Sequence, residues 1–257
     1  MIALVISNPP AIRCPKVVSY GAVTGAGSGI GRAVAMALTS EGFDLALVGR
    51  RRDHLEETAR LIGADGRTQP RVLVIPADVA ESVPARQAAE STIRHFGRLD
   101  VLVNNAGYAP LAPIDRTTPD LLDRAFRVNA LGPANLIAAV WPALCRSGGA
   151  CIINISTLGT RDPFPGFFAY ASAKGAVNVM ARSCAKEGKA HGVKAFAIAP
   201  GAVETPMLRA NFSTTQVPPS RALPPEAVAD VAVRCVRGEF DARSGDTLFV
   251  SAGRGVE

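Results

Sequence analysis

Residues 170 to 174 read YASAK, a tyrosine four positions ahead of a lysine within a run of small residues. On an α-helix such a pair stands on one face, about 6 Å apart along the axis, close enough for the ammonium to act on the phenol. A free phenol, with a pKa of about 10, is too weak an acid to trade protons near neutrality. Lowering it by about 3 units takes roughly 4 kcal/mol, at about 1.36 kcal/mol per unit. A cation at about 4 Å, with an effective dielectric of about 20, supplies that much. Tyr170 and Lys174 are therefore a candidate general acid/base and its electrostatic partner, whereas Tyr20 and Tyr108 have no lysine at the same offset.

Such a pair works only if other elements bring a ligand to it. Short β-branched runs predict seven strands, over 17–23, 45–48, 72–75, 101–104, 151–155, 193–199 and 247–250. Amphipathic stretches between them predict helices near 30–40, 53–62, 83–96, 119–145, 170–188 and 225–237. Strands with few polar interruptions are buried on both faces, so the alternation implies a mostly parallel sheet covered by helices on each side. The reading is a single α/β domain over residues 1–257, with 1–15 a loose N-terminal extension and the Pro-rich stretch 206–225 an irregular substrate loop, functional or mobile. In this architecture ligands bind beyond the carboxyl ends of the strands.

The residues just past each strand are therefore informative. TGAGSGIGR, residues 24–32, holds Gly25, Gly27, Ser28, Gly29, Ile30 and Gly31 between the first strand and first helix. There a sharp turn and free helix N–H groups suit a phosphate, although a Gly-rich turn by itself is also a plain tight connection. After the second strand, where an NAD site places a carboxylate for the ribose hydroxyls, stand Gly49, Arg50, Arg51 and Arg52. Arg50, with Arg51 beside it, pairs with a 2′-phosphate and favours NADP(H) over NAD(H), unless these arginines are only solvated residues opening a helix. Asp78, next to Val79, either accepts from an adenine amino group or caps a helix. NNAG brings Asn105, Ala106 and Gly107 close to a cofactor, NIST puts Ser156 and Thr157 at the sheet edge, and PGAVET offers Pro200, Gly201, Val203 and Thr205 to a nicotinamide carboxamide.

TGxxxGxG at 24–31, NNAG at 104–107, Asn129, the hydroxyls at 156 and 157, YxxxK at 170–174 and PG at 200–201, in that order, resemble the short-chain dehydrogenase/reductase family over roughly residues 16–253. The resemblance implies a Rossmann-like three-layer fold with strand order 3-2-1-4-5-6-7, hydride transfer between a nicotinamide and a carbonyl or secondary alcohol, and a homodimer or homotetramer. It implies that Lys174 also holds the nicotinamide ribose and that a hydroxyl polarises the carbonyl beside Tyr170. The family's serine lies thirteen residues before the tyrosine, which lands on Thr157; its Ser-x-x-Gly pattern instead points to Ser156, because Gly159 follows by three. Asn129 is implied to hold a water in a proton relay through Lys174, the alternative being an asparagine that only bonds its own helix backbone.

Composition narrows the field. The net charge is +6, yet the arginines are scattered apart from 50–52, which argues for a local anion site and against a nucleic-acid stripe. Five cysteines form no CxxC pair and read as free thiols, which suits a cytoplasmic protein. His54, His95 and His191 have no metal-ligand spacing and read as solvated, and no run approaches the roughly 20 apolar residues of a membrane span. Phe164, Phe167, Phe168, Met207, Leu208 and Phe212 border the expected site and predict an apolar small-molecule pocket or a subunit contact. A non-catalytic NADP(H) sensor or scaffold is the competing function.

Overall fold

Neighbouring residues of a strand point to opposite faces, and in the centre of this sheet both faces are apolar. The structure is a computed structural model that describes residues 19–66, 69–253 and 255–257. The extension over 1–15, Cys14 and the first two residues of the predicted first strand lie outside these. The described strands are β1 (Ser19–Thr24), β2 (Phe43–Gly49), β3 (Val72–Pro76), β4 (Val101–Asn104), β5 (Cys151–Ile155), β6 (Lys194–Pro200), β7 (Thr247–Ser251) and β8 (Gly255–Val256). They form one sheet in the order β3-β2-β1-β4-β5-β6-β7-β8, parallel throughout except for β8, which pairs antiparallel with β7. The expected Rossmann-like order is therefore present, with an eighth edge strand that the sequence reading missed because two residues carry no periodicity.

The helices are α1 (Gly29–Ser40), α2 (Arg52–Ala64), α3 (Ser82–Phe96), α4 (Pro119–Phe126), α5 (Gly132–Ser147), α6 (Phe168–Glu187), α7 (Pro206–Asn211) and α8 (Pro225–Val236). Val101 and Val103 of β4, with Ile153 of β5 and Phe196 of β6, pack with Val34 of α1, Leu55 of α2 and Val228 of α8. Leu102 and Ile152, one residue out of phase, pack with Ala88 of α3, Leu136 of α5 and Cys184 of α6. Two cores thus clamp one sheet, and burial of these apolar chains, roughly 25 cal/mol per Å², is the main force holding the layers. Gly97 and Gly148 end α3 and α5 in the left-handed conformation, at φ 79° and 76°.

Two elements differ from the sequence reading. The helix expected over 119–145 is interrupted by a π-helical turn, Arg127–Leu131, before α5. Taken as one stretch, Pro119–Ser147 is long and apolar enough to cross a membrane by length and composition, contrary to the expectation. Its Leu136, Val140 and Leu144 are buried in the core of the fold. The 206–225 segment is not irregular: it contains α7, a 3-10 turn over Pro219–Arg221, and a bridge between Val203 and Leu223.

Candidate active site

The sheet order reverses between β1 and β4, which opens a crevice at their carboxyl ends. The Gly-rich turn lies there. Gly25 and Gly29 have φ of +64° and +52°, a conformation that side chains disfavour. A Cβ on Gly31 would lie 2.3 Å from Gly25 O and 2.4 Å from Asn105 Nδ2, so the helix starts in backbone contact with the turn. Ser28 is the N-cap of α1 but makes no side-chain cap bond, leaving the first helical N–H groups to a ligand. This cradle fits the pyrophosphate of a dinucleotide.

Three side chains that the sequence reading did not single out build the cradle. Thr24 Oγ1 accepts from the N–H groups of Asn105 and Ala106, both at 3.0 Å, and Asn105 Nδ2 donates to Thr24 O at 2.9 Å. Arg32 donates to Gly27 O at 2.6 Å and to Thr58 Oγ1 at 3.1 Å, while Thr58 donates to Ala26 O at 2.9 Å. For Thr24 and Arg32 the only signal was their place in the glycine motif; Thr58, in α2, carried none, because its partner Ala26 lies 32 residues earlier. His54, expected in solvent, has its Cβ against Gly27, where an added Cβ would come within 2.9 Å.

At the tip of β2, Arg50 and Arg51 are exposed and make no side-chain bond or ion pair among the described residues, whereas Arg52 pairs with Glu56 at 3.4 Å. Asp78 caps the next turn, accepting from Ala80 N–H at 3.0 Å through Oδ1. Val79 is buried, and its carbonyl would lie 2.7 Å from a Cβ on Gly132. Asn104 donates to Asn154 Oδ1 at 2.9 Å, an amide brace across β4 and β5.

Across the crevice, α6 carries Tyr170 and Lys174 on one face, beside the end of β5. The Thr157 hydroxyl accepts from Gly159 N–H at 3.2 Å and lies beside the Tyr170 phenol, whose pKa it draws down. The amide takes one lone pair of the hydroxyl and leaves its proton free to donate. Ser156 is turned the other way: it is 2% exposed and its Oγ donates to Lys174 O at 3.5 Å. The structure therefore brings Thr157, not Ser156, to the tyrosine.

Burial pushes the Tyr170 phenol up to about 12, and the Thr157 hydrogen bond is the opposing pull. Lys174, 3% exposed, donates to Ile155 O at 2.6 Å, and burial brings its ammonium down to about 8. In this structure desolvation outweighs the hydroxyl's pull on the phenol, and the lysine's charge is directed to a strand carbonyl.

Asn129 sits in the π-helical turn, fully buried. Its Oδ1 accepts from Tyr108 N–H at 3.1 Å, and its Nδ2 donates to Tyr108 O at 2.7 Å and Ala125 O at 2.9 Å. The side chain is thus committed to clamping the segment after β4. Both Nδ2 protons are spent there, and Oδ1 keeps one lone pair beyond its bond to Tyr108.

The roof of the site joins three segments. Asn211 Nδ2 donates to Ala109 O at 3.0 Å, and Ala112 N–H donates to Gly166 O at 2.9 Å. Gly201 N–H, after Pro200, donates to Val250 O at 2.9 Å, which ties the β6 exit to β7. Thr205 caps α7, accepting from Leu208 N–H and donating to Val203 O, both at 3.2 Å. Its hydroxyl is thus spent locally rather than offered to a carboxamide, while its Cγ2 would lie 2.9 Å from a Cβ on Gly29. Arg209 donates to both Glu204 carboxylate oxygens through Nε and Nη2, while its Nη1 donates to Val217 O at 2.8 Å.

The family described as short chain dehydrogenase matches residues 20–216. An uncharacterized oxidoreductase, YhdF, of Bacillus subtilis is 32% identical over 90% of this chain and 82% of its own length. The 2-(R)-hydroxypropyl-CoM dehydrogenase of Xanthobacter autotrophicus is 37% identical over 72% of this chain and 74% of its own. Among solved structures, a 3-ketoacyl-(acyl-carrier-protein) reductase from Brucella melitensis, complexed with NADH, superposes with a TM-score of 0.84 at 27% identity, covering 92% of this chain and 98% of that one.

Proposed function

The chain belongs to the short chain dehydrogenase family, whose members are NAD(P)-dependent oxidoreductases acting on hydroxyl and carbonyl groups, and from that premise we propose that it is an NADP(H)-dependent carbonyl reductase or alcohol dehydrogenase. The observation that carries this reading is the Thr157 hydroxyl beside the buried Tyr170 phenol, with Lys174 one helical turn along α6.

When bound, the dinucleotide supplies the hydride for reduction or takes it up in oxidation. The rest of the chemistry falls to the chain. Thr157 and Tyr170 converge on one substrate oxygen, the first as a hydrogen-bond donor and the second as the acid that protonates it. Burial keeps the phenol protonated, the form reduction requires. Oxidation requires the phenol to give up that proton, and Lys174, one helical turn along α6, is the cation assigned to stabilise the phenolate. Asn129 holds the Tyr108 backbone, so the segment after β4 keeps its shape beside the cradle.

The preference for NADP(H) rests on Arg50 and Arg51, exposed and unengaged where a carboxylate would select NAD(H). The Brucella reductase was solved with NADH, so this fold admits that cofactor too, and the tip of β2 is where the choice is made. Four free thiols among the described residues, three of them buried, support a reducing cytoplasmic setting. Exposed Leu131, Phe168 and Val179, on the π turn and α6, support a homo-oligomeric contact there.

The test is NADPH and NADH consumption with a panel of ketones and aldehydes, comparing wild type with Tyr170→Phe. Loss of turnover in the variant with cofactor still bound supports the reading. Equal, negligible turnover in both proteins favours a nucleotide sensor, and faster reduction with NADH overturns the cofactor preference.

A further inference from the structure

Phe212, at the end of α7, is 8% exposed although the four residues after it are exposed and polar. Its ring stands edge-on to two others, with centroids 5.3 Å from Phe164 at 87° and 5.9 Å from Phe167 at 83°. Phe164 and Phe167 are themselves 6.0 Å apart, and Phe167 lies edge-on to the Tyr170 ring at 5.2 Å. Three phenylalanines from two separate segments thus form a continuous wall that ends on the phenol. Phe164 remains 54% exposed, so the wall has an accessible ring.

On the α7 side the wall meets no free charge among the described residues. The one guanidinium of α7, Arg209, is held by Glu204 and by the Val217 carbonyl at 2.8 Å. A flat ring gains more than area from such a wall, because its positive edge meets the negative faces of its neighbours; a saturated ring of the same size has no such quadrupole.

We propose that Phe164, Phe167 and Phe212 form a ring-binding subsite beside Tyr170 and that the substrate carries an aromatic ring on its carbonyl carbon. This rests on the carbonyl reductase reading, because that reading places the carbonyl oxygen at Tyr170 and Thr157. A ring bonded to the carbonyl carbon then falls against Phe167, the wall's point of contact with the tyrosine.

Two matched pairs of probes separate the subsite from the chemistry. Benzamide and cyclohexanecarboxamide, which are not reduced, report binding to the NADP⁺-loaded protein by calorimetry; phenyl methyl ketone and cyclohexyl methyl ketone report turnover. Wild type is expected to bind the aromatic amide roughly tenfold more tightly, the effect of one or two edge-to-face pairs. Phe167→Leu and, as an independent variant in the other segment, Phe212→Leu bring that ratio towards one. The phenyl-to-cyclohexyl ratio of kcat/KM falls in the same variants relative to wild type, a comparison that cancels the intrinsic reactivity of the two ketones. Equal binding of the amides in wild type, binding of neither, or a ratio unmoved by either substitution overturns the subsite. Phe167-dependent benzamide binding without reduction of any carbonyl sinks the reductase reading and leaves the subsite standing.

Discussion

The Thr157 hydroxyl lies beside the Tyr170 phenol and draws its pKa down, while its own oxygen accepts the Gly159 N–H. The amide takes one lone pair of the hydroxyl and leaves its proton free for the oxygen at Tyr170. Ser156, its neighbour, bonds the α6 backbone instead.

Thr157→Val keeps the shape and removes the donor, and is expected to lower kcat by about 10² to 10³, the usual effect of losing one oxyanion donor. Thr157→Ser retains most of the rate, and Ser156→Ala stays near wild type. Steady-state kinetics on the three variants decide the assignment; a Ser156→Ala loss matching that of Thr157→Val overturns it.

Lys174 titrates in the folded protein at about 8 against an ordinary 10.5. Its folded pKa is depressed, so between those values the unfolded chain binds more protons and stability rises with pH. The difference amounts to roughly 3 kcal/mol, fully felt below about pH 8 and relieved towards about pH 10.5. Lys174→Met lacks that rise, although it also leaves Ile155 O without its donor. Urea melts of both proteins from pH 7 to 10 check this, because the difference between them cancels the thiols and tyrosines. Parallel curves would refute it.

Arg50→Ala and Arg51→Ala each are expected to raise KM for NADPH by about 10- to 100-fold, matching the roughly 1.5 to 3 kcal/mol of a charge-assisted hydrogen bond. KM for NADH moves little, and added salt weakens NADPH binding in wild type more than in the variants. Equal losses for both cofactors would assign these arginines to packing or solubility.

Gly31→Ala places a methyl group where Gly25 O and Asn105 Nδ2 already stand. The Gly-rich turn must shift, at a cost of about 1 to 3 kcal/mol in stability, together with loss of dinucleotide binding. Thermal melts with and without NADP⁺ read both effects: wild type gains stability from the ligand and the variant does not.

Much of the fold was legible because its signals are local. Alternating β-branched runs and amphipathic segments marked seven of the eight strands among the described residues and the principal helices, and the glycines of 25–31 marked a turn with two positive-φ positions, Gly25 and Gly29. The break in the 119–145 helix was not legible, because nothing in RVNAL departs from helical periodicity. What draws Asn129 inward is the Tyr108 backbone, 21 residues earlier. Within 206–225, the ordering of α7 depends on Glu204 holding Arg209 and on Phe212 finding two rings in another segment. Proline content alone suggested a loose loop.

The sequence by itself determined that a tyrosine and a lysine share a helical face, that two hydroxyls stand together at a strand end, and that arginines occupy the tip after the second strand. All three are consequences of spacing along one chain. Only the tertiary structure decided which hydroxyl serves the phenol and where the lysine's charge is directed. Adjacent residues of an extended strand point to opposite sides, so Ser156 and Thr157 are equivalent until the placement of β5 against α6 turns one towards Tyr170 and the other towards the helix backbone. The same packing buries Tyr170 and Lys174 and moves both towards their neutral forms, because removing water penalises charge whichever sign it carries.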